Sequence, residues 1–378
     1  MKIVVAGVPY SPNMGDGLLA DLVGRVLQAQ FGTADIARID LAGRQELHIN
    51  DGLAAKSKAR AAALRLHAGG PTGFLDRLYY EAKTARSGPL IRQWAQSLEG
   101  TDLLAVGPGQ LISSRTANFP TKLGLLADAL DQTRSRPAVV FFGVGADSGG
   151  SAQARAILRA AIARLDPTRV ILRDERSARA FEELGGDADR VKVAPDLAVL
   201  TNELISDPAG APAGSGIYVD SVDLTSYDDA DGAHDVLTAY LGAVRSMIDL
   251  TGETRVVFGS NGLVEDQEFA QRLAQHCESL SHIDIDIEVA SPPSSPTEIA
   301  ERAGRHVGTV GVRLHAVLPA LALGRPIVAP VLTAKAAGVI DSAYNCNSQE
   351  HVVLSAPAVQ RHQAAESVRE AAQWLHAA

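Results

Sequence analysis

Short, continuous runs of apolar residues alternate along the chain with longer segments in which apolar positions recur at helical spacing. The first run covers residues 2–7 and ends in a loop rich in Gly, Pro and Asn, and residues 18–31 then show the helical spacing. Continuous apolar strands that alternate with amphipathic helices are typical of a parallel sheet covered by helices on both faces. The pattern therefore predicts a doubly wound α/β fold.

The same alternation continues through the first half of the chain and restarts in the second. In the first half it predicts strands at 102–106, 138–142, 169–172 and 191–194, and helices at 151–165 and 175–184. In the second half it predicts strands at 216–219, 255–258, 283–289, 306–310 and 326–329, and helices at 233–250, 264–278, 296–303 and 313–323.

A change of composition separates the two halves. Residues 201–215 are rich in Pro, Ala, Gly and Ser, which is typical of a linker between domains. We therefore predict an N-terminal Rossmann-like domain over residues 1–205, with a mostly helical insertion at about 45–99. A C-terminal Rossmann-like domain follows over 206–356, and an amphipathic helix over 357–378 packs back across the junction.

Length and composition narrow the class of protein. The chain has 378 residues, of which 46% are hydrophobic and 21% charged, as is ordinary for a globular protein of roughly two or three domains. A net charge of -9 argues against a general electrostatic affinity for nucleic acid, and an aromatic content of 4% is too low for base-stacking surfaces. We therefore expect small, oriented ligands and no nucleic-acid partner.

The sequence has no pattern typical of a transmembrane segment, a signal peptide or a disulfide framework. No apolar run approaches the length of a transmembrane helix, and the N-terminal run is shorter than a signal peptide requires. Cys277 and Cys346 are far apart, and neither belongs to a metal-binding pattern. We therefore expect a reducing compartment, no transmembrane segment and no structural metal.

The loop of residues 11–17 joins the first predicted strand to the first predicted helix. It contains Asn13, Gly15 and Asp16, so its backbone amides and the helix N-terminus offer a place for an anion. The same residues also fit a capped helix start, for which Asp16 is a suitable N-cap. The sequence leaves both interpretations open.

Charged residues follow two later strands at the same expected edge of the sheet. Arg173 and Asp174 stand between a strand and a helix, where the guanidinium would bind a carboxylate or phosphate and Asp174 would cap the helix. An internal Arg–Asp pair with a helix cap explains the same residues without a ligand. Asp196 ends another strand, and it fits a turn as well as a ligand contact.

The most specific group of residues lies where a strand of the second half gives way to an apolar helix. Arg313 and His315 stand at the N-terminus of that helix, where the helix dipole, a guanidinium and an imidazole would meet at one anion. Histidine changes its protonation near neutral pH and is therefore suited to donate a proton. Lys335 opens a later helix and would add a further cation. A buried histidine and an exposed lysine are the alternatives without a function.

Common nucleotide-binding motifs are missing from the sequence. The glycine loops at 107–109 and 143–145 do not complete a GxGxxG pattern, and there is no P-loop. Asp284 and Asp286 imitate the DxD pair of metal-dependent glycosyltransferases, but their alternation with isoleucines indicates the polar face of an edge strand.

Taken in chain order, these motifs resemble the polysaccharide pyruvyl transferase family. The matching segments are 13–16 (N-x-G-D), the glycine loops at 107–109 and 143–145, 173–177 (RDE-x-S), 194–196 (APD), 313–316 (RLHA) and 324–326 (GRP). They extend over most of the chain, and their order and spacing are together fairly specific. The resemblance implies a GT-B-like fold, in which two doubly wound Rossmann-like domains face a cleft. It also implies transfer of a pyruvyl group from phosphoenolpyruvate to a sugar of an exopolysaccharide or cell-wall glycan, with formation of a ketal.

The resemblance further implies roles for individual residues. His315 would protonate the methylene carbon of phosphoenolpyruvate, and Asp16 or Asp174 would orient the acceptor or act as a base. The donor's carboxylate and phosphate would be held by a set of cations: Arg313, Arg173 and Lys335. The other expected substrate-binding residues are Asn13, Gly15, Gly109, Gly145 and Asp196.

The partners implied by the resemblance are phosphoenolpyruvate as donor and a nucleotide- or lipid-linked sugar as acceptor, with no metal and no cofactor. The expected location is the cytoplasm, including the inner face of the cell membrane. The sequence does not decide between a monomer and a homo-oligomer.

Three residues depart from the usual family pattern: Pro108 within a glycine loop, Asp220 where an arginine is common, and Ala334 where a tyrosine precedes the lysine. An aspartate in place of a cation weakens an anion site. Two other functions fit the same scaffold, namely a GT-B glycosyltransferase that uses a nucleotide sugar and a non-catalytic sugar-binding protein. Release of phosphate from phosphoenolpyruvate, against release of a nucleotide, distinguishes the transferases.

Overall fold

The computed structural model describes residues 1–47, 73–205, 215–222, 236–279, 285–330, 334–344, 353–354 and 356–376. Three parts of the predictions lie outside the described residues: 206–214 of the predicted linker at 201–215, 48–72 of the predicted insertion, and the side chain of Lys335.

The first half of the chain forms a parallel sheet of seven strands. The strands are β1 (Lys2–Gly7), β2 (Asp35–Asp40), β3 (Leu103–Val106), β4 (Gly109–Ser113), β5 (Ala138–Asp147), β6 (Arg169–Leu172) and β7 (Val191–Val193). Their order is β2-β1-β3-β5-β6-β7, and β4 pairs with the carboxyl-terminal part of β5. The strands β3 and β5 are buried almost throughout because helices cover both faces of the sheet.

Among the described residues of the first half, six helices and two short 3-10 helices accompany this sheet. The helices are α1 (Met14–Phe31), α2 (Gly73–Arg86), α3 (Gly88–Leu98), α4 (Asn118–Leu130), α5 (Ala152–Leu165) and α6 (Glu175–Glu183), with 3-10 turns at Ala188–Arg190 and Leu197–Glu203. The helices α2 and α3 occupy the second part of the predicted insertion.

The second half forms a sheet of six strands in the order β10-β9-β8-β11-β12-β13. The strands are β8 (Ile217–Asp220), β9 (Arg255–Gly259), β10 (Asp286–Val289), β11 (Gly308–Gly311), β12 (Ile327–Val328) and β13 (Val353–Leu354). All pairs are parallel except β12 with β13. The helices are α7 (Val236–Thr251), α8 (Val264–Ser279), α9 (Pro296–Arg305), α10 (Leu314–Ala322), α11 (Ala334–Tyr344) and α12 (Ala358–His376).

The prediction of an α/β fold built on parallel sheets is confirmed. Besides the 3-10 turns, four elements were not predicted, namely β2, β4, β13 and α4. Only the last two residues of β2 are fully buried, so its apolar run is broken by polar positions. The strand β4 begins at the last glycine of the loop that the sequence presents as a turn, and α4 contains Pro120 in its first turn and Gly124 in its interior.

One hydrophobic core continues from the first half into the second. On the side of the first half it contains Leu18 and Leu22 of α1 and Leu200 of the 3-10 turn, and all three are buried. On the other side it contains apolar residues of α9, α10 and α12, among them Ile299, Val317, Leu321, Val368 and Leu375. The N-terminus of α1 is therefore held against the N-terminal end of α10 by packing between the two halves.

Candidate functional site

The β1–α1 loop contacts the second half of the protein directly. Asn13 is the N-cap of α1, and its side chain accepts a hydrogen bond from the backbone N–H of Gly15 at 3.4 Å. The backbone N–H of Met14 donates to the carbonyl of Asn261, which follows β9, at 2.9 Å. The expectation that Asp16 suits the N-cap was wrong, because Asn13 takes that position and Asp16 lies in the first turn, half-buried.

His315 lies against Gly15, in the first turn of α10. A Cβ atom placed on Gly15 would be 2.5 Å from the Cβ of His315 and 2.8 Å from its Nδ1. Such distances are too short for real carbon atoms, so only glycine allows this contact. The first turn of α10 and the β1–α1 loop therefore meet at His315 and Gly15.

A buried carboxylate of the first half faces the same imidazole. The Oδ2 atom of Asp196 lies 4.0 Å from the Nε2 atom of His315, and the side chain of Asp196 is 1% exposed against 12% for His315. The Oδ1 atom of Asp196 accepts the backbone N–H of Ala198 at 3.0 Å and caps the 3-10 turn that follows. Asp196 is thus both a turn former and a neighbour of the imidazole.

Arg173 continues this polar cluster into the first half. Its Nη1 atom lies 3.5 Å from Oδ2 of Asp196 and its Nε atom 3.3 Å from Oδ2 of Asp174, and the side chain is 2% exposed. Its remaining terminal nitrogen donates to the side chain of Gln110. A Cβ on Gly145 would lie 2.7 Å from the guanidinium, so the absence of a side chain at Gly145 makes room for Arg173.

Asp174 has two structural tasks. Its Oδ1 atom accepts the backbone N–H of Ser177 at 2.7 Å and caps α6, while Oδ2 pairs with Arg173. The pair and the cap are those that the sequence interpretation without a ligand predicts. Because Arg173 is buried with three side-chain partners, it holds Asp196 in place rather than presenting a guanidinium to solvent.

Arg313 is the N-cap residue of α10 and is bonded to a carboxylate that the sequence analysis did not single out. Its terminal nitrogen donates to Asp266, which lies in the first turn of α8 and is 1% exposed, while Arg313 itself is 14% exposed. The two residues are 47 positions apart, so their pairing depends on tertiary structure. In the sequence, only the acidic first turn of α8 pointed to Asp266.

Asp220 lies at the carboxyl end of β8 beside these residues and is completely buried. Neither of its carboxylate oxygens has a hydrogen-bond partner of ordinary geometry among the described residues. Burial raises the pKa of Asp220 to about 8, although the guanidinium and backbone N–H of Arg313 act in the opposite direction. This carboxyl group is therefore largely protonated at neutral pH.

Gly109 and Lys335 are the remaining predicted substrate-binding residues. Gly109 begins β4 with a φ angle of 96°, and a Cβ there would have no heavy atom within 4 Å. Lys335 lies in the first turn of α11, and its side chain is outside the described residues. Among the described residues, no group of three or more His, Cys, Asp or Glu side chains is arranged to hold a metal ion.

The described helices include none that is long and apolar enough to span a membrane.

The fold has counterparts among solved structures. The S. aureus MnaA–UDP co-structure superimposes with a TM-score of 0.50 and 13% identity, over 98% of this chain and 90% of that chain. The UDP-GlcNAc 2-epimerase from Methanocaldococcus jannaschii superimposes with a TM-score of 0.50 and 8% identity, over 100% of this chain and 99% of that one. At such low identity these similarities concern the fold alone, which is GT-B-like. A search of curated proteins found no matching sequence.

A family model matches most of the chain, including the residues of the site described above apart from Lys335. The model of polysaccharide pyruvyl transferase matches residues 13–329, which include the β1–α1 loop, the Arg173 cluster and the start of α10. The matched segment begins at the N-cap of α1 and ends just after β12. The chain therefore belongs to the polysaccharide pyruvyl transferase family.

Proposed function

We propose that this protein transfers the pyruvyl group of phosphoenolpyruvate to two hydroxyl groups of a sugar, forming a ketal and releasing phosphate. The sugar is part of a nucleotide- or lipid-linked intermediate of an exopolysaccharide or cell-wall glycan. Family membership supports a transferase of this kind. The observation that carries the proposal is the position of His315, which the second half of the chain supplies and which lies against Gly15 and near Asp196 of the first half.

His315 is the proposed proton donor. Addition of a hydroxyl group to the central carbon of phosphoenolpyruvate requires a proton on its methylene carbon, which creates an oxocarbenium-like centre. The side chain of His315 is 12% exposed, and the buried carboxylate of Asp196 lies 4.0 Å from its Nε2 atom. Arg173, which bonds to Asp196, acts as a positioning residue for this pair.

Arg313 is the proposed ligand of the donor's carboxylate or phosphate, with Lys335 as a second cation. The bond to Asp266 fixes the direction of the guanidinium, and its five N–H donors allow it to bind a second anion at the same time. The protonated form of Asp220 adds no negative charge next to that anion. A carboxyl group in this place is therefore compatible with an anionic donor below about pH 8.

Asp16 is better placed than Asp174 to orient the acceptor or to act as a base. Its carboxylate lies half-exposed in the first turn of α1, one residue after Gly15. The oxygens of Asp174 are engaged by Ser177 and Arg173, so we assign that residue to the support of Arg173. No metal or cofactor has a role in the proposed reaction.

The atoms and protons of the reaction balance. His315 gives a proton to the methylene carbon, which becomes a methyl group, and the first sugar hydroxyl adds to the central carbon and returns a proton to the base. The carbon–oxygen bond to phosphate then breaks, the second hydroxyl adds, and its proton leaves with the phosphate. The base then gives its proton to solvent and His315 takes one from solvent, so that over the whole reaction one proton is gained by the methyl group and one by the released phosphate.

The test is a ³¹P NMR assay of the full chain with phosphoenolpyruvate and diphosphate-linked sugars that carry adjacent hydroxyl groups. We expect acceptor-dependent release of inorganic phosphate, its loss by about a hundredfold or more in His315→Ala, and a weaker donor affinity in Arg313→Ala. His362→Ala, which removes an exposed histidine of α12, is the matched control and keeps full activity.

The alternatives give different results in the same assay. Release of a nucleotide from a nucleotide sugar, without consumption of phosphoenolpyruvate, would identify a glycosyltransferase. Binding of sugars that is equal in the wild type and in His315→Ala, with no turnover in either protein, would identify a non-catalytic binding protein.

A further inference from the structure

A half-open groove lies in the first half of the protein, beside the Arg173 cluster and distinct from the contact between His315 and Gly15. Its volume is about 470 Å³, which is within the range of small-molecule sites. The loop after β5 and one face of α6 form its walls, and three arginines line it: Arg115, Arg176 and Arg179. Two acidic residues also line it, namely Asp147 and Glu183.

Both carboxylates of the groove are already bound by the protein. Asp147 accepts hydrogen bonds from Nε of Arg115 at 2.7 Å and from the backbone N–H of Gly149 at 2.9 Å. Burial opposes its ionisation, but these two donors outweigh burial and lower the pKa of Asp147. Glu183 accepts a hydrogen bond from the hydroxyl of Ser148.

The remaining positive charge lies on α6. Arg176 and Arg179 are exposed and one helical turn apart, so both side chains lie on the same side of the helix. Neither forms an ion pair or a hydrogen bond with a described residue, and Arg176 acts on Asp147 only through its charge. Two guanidinium groups in one groove are suited to the paired oxygens of phosphate groups.

Both walls of the groove are close in sequence to residues of the Arg173 cluster. Asp147 stands two residues after Gly145, which packs against the guanidinium of Arg173. Arg176 follows Asp174, the N-cap of α6 and partner of Arg173, by two residues. The groove and the Arg173 cluster therefore share the carboxyl end of β5 and the N-terminus of α6.

We propose that Arg176 and Arg179, together with Arg115, bind the diphosphate of the sugar acceptor. This inference rests on the proposed function for the identity of the acceptor, since both nucleotide-linked and lipid-linked sugars carry a diphosphate. The groove would hold the acceptor by its anionic link and leave the sugar hydroxyls directed to the site of His315. Binding is expected to weaken as the salt concentration rises.

Titration calorimetry of the full chain tests the proposal with three probes: inorganic pyrophosphate, UDP-glucose and farnesyl diphosphate. The variant is R176Q/R179Q, in which both residues are exposed and the fold is expected to be unchanged. The control is R92Q/R245Q, which removes two exposed arginines of α3 and α7. We expect the groove variant to bind pyrophosphate about tenfold or more weakly, and the control to bind like the wild type.

The two organic probes distinguish the sources of the diphosphate. Tighter binding of UDP-glucose supports a nucleotide-linked acceptor, and tighter binding of farnesyl diphosphate supports a lipid-linked one. Equal affinities of wild type and R176Q/R179Q for all three probes, or no binding of any probe to the wild type, would overturn the proposal. The calorimetry involves no phosphoenolpyruvate. A weaker binding of pyrophosphate to the groove variant would therefore support the groove even if pyruvyl transfer were disproved. Conversely, if R176Q/R179Q turns over with an unchanged acceptor KM, the proposal for the groove is contradicted and the proposed pyruvyl transfer is not.

Discussion

A hydrogen atom in place of a side chain at Gly15 is what allows the imidazole of His315 to lie where the two halves meet. The sequence placed both residues at the ends of strands, because parallel strands bring their following loops to a common edge. It could not show the partners of Arg173 and Arg313, since Gln110 and Asp266 come from distant parts of the chain. Pairings of that kind depend on how the helices pack and have no local pattern.

Gly15→Ala is expected to displace His315. The added methyl group would have to lie 2.5 Å from the Cβ of His315, so one side must move. We expect a loss of about 1–3 kcal/mol in the free energy of unfolding and a fall in kcat of about tenfold or more.

Urea unfolding and the phosphate-release assay measure these two effects. Gly242→Ala in α7 is the matched control, because a Cβ there meets no heavy atom within 4 Å and alanine favours a helix. Full activity and stability in Gly15→Ala would contradict the tight contact.

Asp220→Asn tests the buried carboxyl group through its dependence on pH. The folded protein raises the pKa of Asp220 from 3.8 to about 8, so the folded state keeps a proton that the unfolded state loses above about pH 4. The wild type is stabilised by this group at low pH, and that stabilisation is lost as the pH rises toward 8. The asparagine variant has no such loss, so its stability relative to the wild type should rise with pH by at most about 1.4 kcal/mol per unit.

Free energies of unfolding at pH 5, 6, 7 and 8 would show the trend. Asp249→Asn, which changes an exposed carboxylate of α7, serves as the control. A difference between wild type and Asp220→Asn that stays constant over this range would contradict the assignment of a buried, protonated carboxyl group.

Among the secondary-structure elements, those buried on both faces were the easiest to predict from the sequence. The strands β5 and β6 have continuous apolar runs, and the observed strand Arg169–Leu172 matches the predicted one. The strand β5 is longer than predicted because Gly143 and Gly145, taken as a loop, are part of it and admit Leu197 and Arg173 at close range. Helix α12 shows the same dependence on packing, since its apolar face is buried by other elements.

Val368→Asp is expected to detach α12 from the core. Val368 is 1% exposed, and a carboxylate there would lose its water without gaining a partner. We expect the free energy of unfolding to fall by about 3 kcal/mol or more. Val359→Asp on the same helix is the control, because Val359 is 68% exposed and its replacement should change stability by about 0.5 kcal/mol or less. Equal denaturation midpoints for the two variants would show that α12 is not anchored by Val368.

For the molecule as a whole, the important feature is that the core crosses the boundary between the sheets. Leu18 and Leu200 of the first half share one apolar cluster with Val317 and Val368 of the second. Two sheets could be expected from the repeated alternation of strands and helices, and the last helix was predicted to pack across the junction, but no pattern marked α9 and α10 as part of a shared core. The apolar faces of α9 and α10 looked as if they covered their own sheet alone.

A single unfolding transition is expected from this shared core. In differential scanning calorimetry the calorimetric and van't Hoff enthalpies should agree, because neither half can lose its structure without exposing apolar residues of the other. Two separate heat-absorption peaks would contradict this expectation.

The shared core also limits how such a protein can be recombined. A hybrid gene that joins the first half of this chain to the second half of a relative would bring together α1 and foreign versions of α9, α10 and α12. The mismatch would fall on the same surface that sets Gly15 against His315, so such hybrids would lose this contact before they lost either sheet. Exchange of substrate preference between relatives is therefore more readily achieved through loops such as 148–151 than through whole lobes.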